Sequence, residues 1–143
     1  MITVRELVER KGPEIWSVRP DSTVYEALGL MAEKGVGAVL VLDGTQIAGI
    51  LSERDYARQV ILKGKTSKET PVKEIMSPRV VYVRPDQTVE DCMALMTDKR
   101  IRHLPVVDGT RLLGLLSIGD VVKAVISEKQ FMIEQLENYI TRS

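Results

Sequence analysis

The chain has 143 residues, 44% hydrophobic and 28% charged, and its 20 basic residues balance 20 acidic ones. Zero net charge and only 4% aromatic residues argue against a nucleic acid or an anionic membrane as the partner. The longest wholly apolar run, residues 38–42, is too short to span a bilayer, and the first residues carry no signal-peptide core. With a single cysteine there is no intramolecular disulfide, so we expect a soluble cytoplasmic protein.

The dominant feature of the sequence is an internal duplication. Residues 18–61 and 83–126 are identical at 19 of 44 positions without a gap, and VRPDSTV in the first copy matches VRPDQTV in the second. The offset of 65 residues is longer than the period of solenoid repeats. We therefore predict two halves of the same topology, related by an approximate two-fold axis.

Each half is predicted to fold as β-α-β-β-α. A short β-branched run, IWSVRP or VVYVRP, ends at a proline as an edge strand can. An amphipathic helix then begins at Thr23 or Thr88. The dipeptide Asp-Gly between two apolar runs predicts a β-hairpin in each half. The second helix of each half begins at Ser52 or Ser117.

The predicted domain organisation follows from the repeat. Its parts are repeat 1 (residues 1–62), a linker with the first turn of repeat 2 (63–78), repeat 2 (79–127) and a helical tail (128–143). Inside the linker, Thr70-Pro71 is typical of a helix start and opens the short turn VKEIM. The segment TVRELVERKG is its expected counterpart at the start of the chain.

The motif Gly-apolar-Leu-Ser-x-x-Asp occurs in both halves, as GILSERD and GLLSIGD. With VKEIMS and RIRHLPVVD, these motifs form a specific, duplicated set. The chain resembles a tandem pair of cystathionine-β-synthase (CBS) domains, a Bateman module, from Val4 to Glu128. The resemblance implies an α/β (α+β) fold whose two halves pack through their sheets, and a homodimer.

The repeated serine and aspartate have two interpretations. From the residues alone, a capping box is favoured, in which each side chain bonds the backbone of the other. The resemblance favours ligand binding instead. It implies that the module binds AMP, ADP, ATP, NAD(H) or S-adenosylmethionine in two clefts between the halves. Asp55 and Asp120 would accept hydrogen bonds from the ribose hydroxyls, and Ser52 and Ser117 would lie near phosphate.

The resemblance further implies that each cleft takes residues from both halves. Asp55 and Ser52 would face Val81, Ile101 and Arg102, while Asp120 and Ser117 would face Trp16 and Gly37. Arg54, Arg102 and His103 are candidates for neutralising phosphate, with solvated surface charge as the alternative. Trp16 would lie beside an adenine, or it belongs to the core or a dimer interface. Since Gly119 replaces Arg54 in the second half, unequal pockets are expected.

We predict a regulatory module without enzymatic activity. Nucleotide binding would change its conformation or oligomeric state and so signal to a separate effector protein. A ligand-free interaction module and, less favoured, a nucleotide hydrolase are the alternatives. His103 is the single histidine, and no Cys/His cluster has metal-ligand spacing. Cys92 aligns with Ala27 on an apolar helix face, which predicts a buried, structural thiol.

Overall fold

The computed structural model describes residues 1–142, and these residues form two compact units. The first unit comprises Ile15–Val80, and the second combines Met1–Glu14 with residues 81–142. The packing therefore follows a different division from the predicted repeat boundaries, because the first 14 residues pack with the second repeat.

Five helices and five strands make up the described chain, with mixed α and β structure as predicted. The helices are α1 (Val4–Lys11), α2 (Val24–Lys34), α3 (Glu53–Tyr56), α4 (Val89–Lys99) and α5 (Ile118–Arg142). A π-helical turn, Ala57–Ile61, continues α3, and Val72–Glu74 form a 3₁₀ turn. The strands are β1 (Ser17–Val18), β2 (Ala38–Asp43), β3 (Gln46–Ser52), β4 (His103–Asp108) and β5 (Arg111–Ser117).

The sheet of the first unit has the order β1-β2-β3. Strand β1 runs parallel to β2, and β2 pairs with β3 as the predicted antiparallel hairpin. The Asp-Gly turn works here because Gly44 adopts φ 63°, a conformation that other residues adopt only with strain. The hairpin ends at Ser52, which is also the N-cap of α3, so the Ser-x-x-Asp turn directly follows strand β3.

The first long helix of each unit begins where the sequence predicts. The Thr23 hydroxyl accepts a hydrogen bond from the Glu26 amide, at 3.1 Å, and starts α2. At the start of α4, Thr88 and Asp91 each accept a hydrogen bond from the other's amide. These bonds satisfy amides that have no partner inside the helix.

The second unit repeats the hairpin but lacks the strand predicted for VVYVRP. That segment forms only a single parallel bridge, between Val83 and Val106. In the first unit, the Leu40 amide donates to the Trp16 carbonyl oxygen at 3.2 Å. Its counterpart in the repeat is Pro105, which has no amide hydrogen to donate. The loss of this bond explains why the strand shortens to a bridge.

The two segments that precede the repeats make corresponding backbone hydrogen bonds, as expected of counterparts, although the first is an α-helix and the second a 3₁₀ turn. The Val4 amide donates to the Gln87 carbonyl oxygen at 2.8 Å, and the Val72 amide donates to that of Ser22 at 2.7 Å. Gln87 and Ser22 are themselves related by the repeat offset. The segment at the N-terminus thus completes the second unit, and the linker segment completes the first.

Each unit has its own apolar core. The buried residues of the first include Val24, Ala27, Met31, Val39, Val41, Leu51, Val60, Val72 and Ile75. Those of the second include Val4, Leu7, Val83, Val89, Cys92, Met96, Leu104, Val106, Leu116 and Val121. Cys92 is buried, as predicted, and burial together with the charges of Asp91 and Glu90 raises its pKa to about 11. A thiol with so high a pKa is unreactive at neutral pH.

The last helix is longer than the repeat requires. α5 buries Val121 and Ala124 near its start and then continues into the region predicted as a helical tail, where the side chains of residues 129–141 are exposed. Ser143, the last residue of that predicted tail, lies outside the described residues. The exposed part of α5 carries several large apolar side chains, among them Ile133 and Leu136.

Substitution of a strand glycine tests the packing of the leading segments. A Cβ at Gly49 would lie 2.7 Å from the Ser77 carbonyl oxygen and 2.8 Å from the Met76 sulfur, whereas at Gly114 the nearest atom would be Val8 Cγ1, at 3.3 Å. Because a backbone oxygen yields less than a side-chain methyl, we expect Gly49→Ala to cost about 1–3 kcal/mol and Gly114→Ala less than about 1 kcal/mol. Urea unfolding of both variants measures this difference, and equal losses would contradict it.

Candidate functional site

The first Ser-x-x-Asp turn is a closed pair of residues at the end of β3. The Asp55 carboxylate Oδ2 accepts from the Ser52 amide at 2.9 Å and from the Ser52 hydroxyl at 3.0 Å. In return, the Asp55 backbone amide donates to the Ser52 hydroxyl oxygen at 3.2 Å. The capping interpretation of this motif is therefore confirmed. Both residues are half-buried, and all the hydrogen bonds that Asp55 accepts from Ser52 reach Oδ2.

The second turn has the same geometry and one additional partner. Asp120 Oδ2 accepts from the Ser117 amide at 2.7 Å and from the Ser117 hydroxyl at 3.0 Å. It also accepts from the Lys11 ammonium group at 2.7 Å. Lys11 simultaneously donates to the Leu115 carbonyl oxygen at 2.6 Å. The end of α1 is thus fastened to the turn that starts α5.

Electrostatics at this turn reflect the added lysine. Partial burial raises the pKa of Asp120, but hydrogen bonds from Lys11 and Ser117 outweigh burial and bring that pKa below its ordinary value. Asp120 is therefore ionised at neutral pH and carries its charge next to a fixed cation.

Two predicted residues adjoin the same turn. His103 pairs with Ser117 across the β4–β5 hairpin, and the Arg102 carbonyl oxygen accepts from the Ile118 amide at 2.8 Å. Burial lowers the pKa of His103, and the positive charges of Lys11 and Arg102 lower it further, against the opposing effect of Asp120. At pH 7 the imidazole is mainly neutral, so it can offer phosphate a hydrogen bond but little charge. Arg102 is exposed.

The remaining predicted residues have identifiable surroundings within their own units. The Gly37 carbonyl oxygen accepts from the Glu53 amide at 3.0 Å, which places Gly37 beside the first turn. Arg54 is exposed in that turn. Trp16 packs against the core of the first unit, and the Lys34 ammonium lies 4.4 Å from its ring centroid. Val81 and Ile101 pack against the core of the second unit.

The structure thus brings Arg102 and His103 to the Asp120 turn and Gly37 to the Asp55 turn. The combination of residues from opposite repeats around one ligand stays a prediction of the family resemblance. So does a role for Trp16 beside an adenine. Its stacked lysine is the kind of contact that an aromatic ring makes with a cation at a partly exposed position.

Sequence reasoning missed Lys11. A weak signal for it exists, because the two leading segments align as TVREL and PVKEI, and the register that joins Val4 to Val72 places Lys11 opposite Arg79. Each repeat is therefore preceded by a basic residue at the same position. Only the fold shows that Lys11 reaches an aspartate more than one hundred residues away in the sequence.

No group of three or more His, Cys, Asp or Glu side chains within residues 1–142 could hold a metal ion. None of the helices in this range is long and apolar enough to cross a membrane.

Comparison with known proteins gives consistent matches. The family model described as the CBS domain matches residues 1–61 and 72–127. The CBS domain-containing protein CBSX3, mitochondrial, of Arabidopsis thaliana is 40% identical over 148 residues, which cover 96% of this chain and 71% of its own length.

Solved structures agree in fold. A Burkholderia ambifaria protein with CBS domains, described as a signal-transduction protein, has a TM-score of 0.85 and 54% identity, covering 87% of this chain and 94% of its own. A hexameric CBS-CP12 protein from bloom-forming cyanobacteria has a TM-score of 0.76 and 32% identity, covering 85% and 71%. CBSX2 in complex with AMP has a TM-score of 0.72 and 29% identity, covering 90% and 99%.

The lysine at the second turn predicts a pH-dependent difference between two equivalent substitutions. Asp55→Asn and Asp120→Asn each weaken a capping box, but only Asp120→Asn also leaves Lys11 without its carboxylate. At pH 7 we expect Asp120→Asn to cost about 0.2–1 kcal/mol more, the usual contribution of an exposed ion pair.

Because the pKa of Asp120 is depressed, the stability from this ion pair is present above the ordinary aspartate pKa and disappears as pH falls through the folded-state pKa. The extra cost of Asp120→Asn should therefore shrink on acidification. Urea unfolding of both variants from neutral to acidic pH measures it, and a difference independent of pH would rule out the ion pair as its cause.

Proposed function

The chain belongs to the CBS-domain family, and we propose that it is a regulatory module that binds an adenine nucleotide at its two Ser-x-x-Asp turns. The observation that carries this proposal is the free side of each carboxylate. Within the described chain, all hydrogen bonds to Asp55 and to Asp120 reach Oδ2. Oδ1 of each is thus available to accept from ribose hydroxyls.

The chemistry of a vicinal diol suits this arrangement. Two adjacent hydroxyls can donate to one ionised carboxylate, and such charge-assisted bonds are stronger than neutral ones. The serine fixes the carboxylate by two hydrogen bonds, so little side-chain entropy is lost when a ligand binds. The capping box therefore supports binding rather than competing with it, since it uses one carboxylate oxygen and orients the other.

The class of ligand is supported by the AMP complex of CBSX2, which shares this fold. AMP, ADP, ATP, NAD(H) and S-adenosylmethionine all contain the adenosine group that this site would recognise. Arg54 and Arg102 are exposed and can supply positive charge to a phosphate, and His103 can supply a hydrogen bond. We propose that binding causes no covalent change, and that the bound state acts on a separate effector protein in the cytoplasm.

The proposal predicts that affinity depends on both aspartates. Asp→Asn keeps the side-chain shape but removes the charge that strengthens the ribose bonds, a loss of roughly 1.5–3 kcal/mol or about ten- to a hundredfold in affinity at the altered site. Calorimetric titration of AMP into Asp55→Asn, Asp120→Asn and the double variant measures this loss.

Asp91→Asn is the matched control, because Asp91 forms the same capping box with Thr88 at the start of α4. It should lower stability by a similar amount and leave AMP affinity unchanged. If AMP affinity is unchanged in the double variant as well, the turns are purely structural and the ligand-free interaction module is the better account. Release of product from ATP or NAD during long incubation would instead favour the hydrolase.

We further propose that the protein is a homodimer and that α5 provides the contact. Val122, Ile126, Ile133 and Leu136 are each 45–61% exposed and recur along α5 at spacings of three, four or seven residues. This spacing is typical of a seam between two helices. A second copy of the same helix is the partner that offers an identical stripe, as a two-fold interface requires. The hexameric CBS-CP12 protein shows that chains of this fold assemble.

Charge placed in the stripe should separate the copies. The double variant Ile133→Lys/Leu136→Lys introduces like charges on both helices, and we expect the mass in solution to fall from two chains to one. Asn138→Lys, on the opposite side of α5, adds charge without touching the stripe and should remain dimeric. Light scattering after gel filtration measures the mass; a monomeric wild type, or a dimeric double variant, would contradict the proposal.

A further inference from the structure

We propose that Lys11 makes the Asp120 site selective for phosphorylated nucleotides over neutral nucleosides. This inference rests on the proposed function, since it concerns which adenosine-containing ligand that site accepts. It concerns one site only, because it depends on a contact that the Asp55 turn does not have in the described structure.

The first step concerns the hydrogen bonds at Asp120. Oδ2 accepts from three donors, the Ser117 amide, the Ser117 hydroxyl and the Lys11 ammonium. Asp55 Oδ2 accepts from only the two groups of Ser52. At both turns the ribose hydroxyls would bind Oδ1, but at Asp120 the adjacent ammonium group neutralises much of the carboxylate charge that strengthens those bonds. A ligand that offers only a ribose gains less at Asp120.

The second step concerns charge. A lone carboxylate repels a phosphate brought close to it, and a lysine 2.7 Å away largely cancels that repulsion. The lysine is fixed, because a second of its hydrogen bonds reaches the Leu115 carbonyl oxygen. An ammonium group has three donors, so one remains for an anionic oxygen. Both steps favour a phosphorylated ligand at Asp120.

The third step concerns the surroundings. Arg102 and His103 lie beside the same turn, and the charges of Lys11, Asp120 and Arg102 all act on the His103 imidazole. The corresponding residues of the other repeat are Gly37 and Ala38, which carry no side-chain charge. The Asp55 turn has the exposed Arg54, whereas the Asp120 turn has Arg102 beside it and, in Lys11, a cation held by hydrogen bonds to the carboxylate and to the Leu115 carbonyl oxygen.

The test is the ratio of the adenosine to the AMP dissociation constant, measured by calorimetry in an Asp55→Asn background so that the Asp120 site dominates. Lys11→Met keeps the length of the side chain and removes its charge; we expect the ratio to fall roughly three- to tenfold, as for loss of a charged partner. Lys11→Arg keeps the charge and should retain most of the ratio.

Arg10→Met is the matched control, since Arg10 is exposed in the same last turn of α1 and its loss removes an equal charge. An unchanged ratio in Lys11→Met, or an equal fall in Arg10→Met, would overturn the inference. In an Asp120→Asn background, Lys11→Met should leave the ratio of the two dissociation constants unchanged. If Lys11→Met lowers the ratio as much there as it does with Asp120 present, the inference is also overturned. If the wild type binds neither ligand, the proposed function itself fails, a result distinct from binding without selectivity.

Discussion

The reciprocal hydrogen bonds between serine and aspartate determine how both halves of this protein present their carboxylates. In each half, one serine donates twice to a single aspartate oxygen and accepts from the aspartate amide. The hairpin brings the serine to the end of its strand, and the pair starts the following helix. The carboxylate is therefore held in one orientation, with Oδ2 accepting the serine bonds and Oδ1 outside them.

Outside the shared Ser-x-x-Asp turns, the two halves differ in ways that the duplication does not predict. Pro105 replaces Leu40 and removes one backbone donor, so that a strand of the first unit becomes a single bridge in the second. Lys11 reaches Asp120, and the Asp55 turn has no such cation among its hydrogen-bond partners in the described residues. These differences give two turns of the same geometry with unequal electrostatics. An ancestral duplication that retains the serine and aspartate while its surroundings diverge would produce this result.

Much of the fold could be predicted from local signals. Thr23 and Thr88 begin helices, the Asp-Gly dipeptides form the hairpin turns, and the serines of the repeated motif begin the next helices. Each of these features depends only on residues close to it in the sequence. The packing of residues 1–14 with the second repeat could not be predicted in this way. It depends on bonds such as Val4 to Gln87, between residues distant in sequence, and no local pattern encodes such a partner. The contact between Lys11 and Asp120 could not be predicted either, because these residues are also distant in sequence. The predicted assignment of Val81, Ile101 and Trp16 to ligand contacts rests on family resemblance alone.

The central claim is that both Ser-x-x-Asp turns bind an adenine nucleotide, and a titration of AMP followed by amide NMR tests it most directly. The amides of Ser52, Asp55, Ser117 and Asp120 each form a hydrogen bond within a turn, so their chemical shifts report on any change at the carboxylates. The account predicts saturable shifts centred on these four residues and their neighbours, with Asp91 unaffected. Saturable shifts elsewhere with both turns unchanged, or no shifts at millimolar AMP, would contradict it.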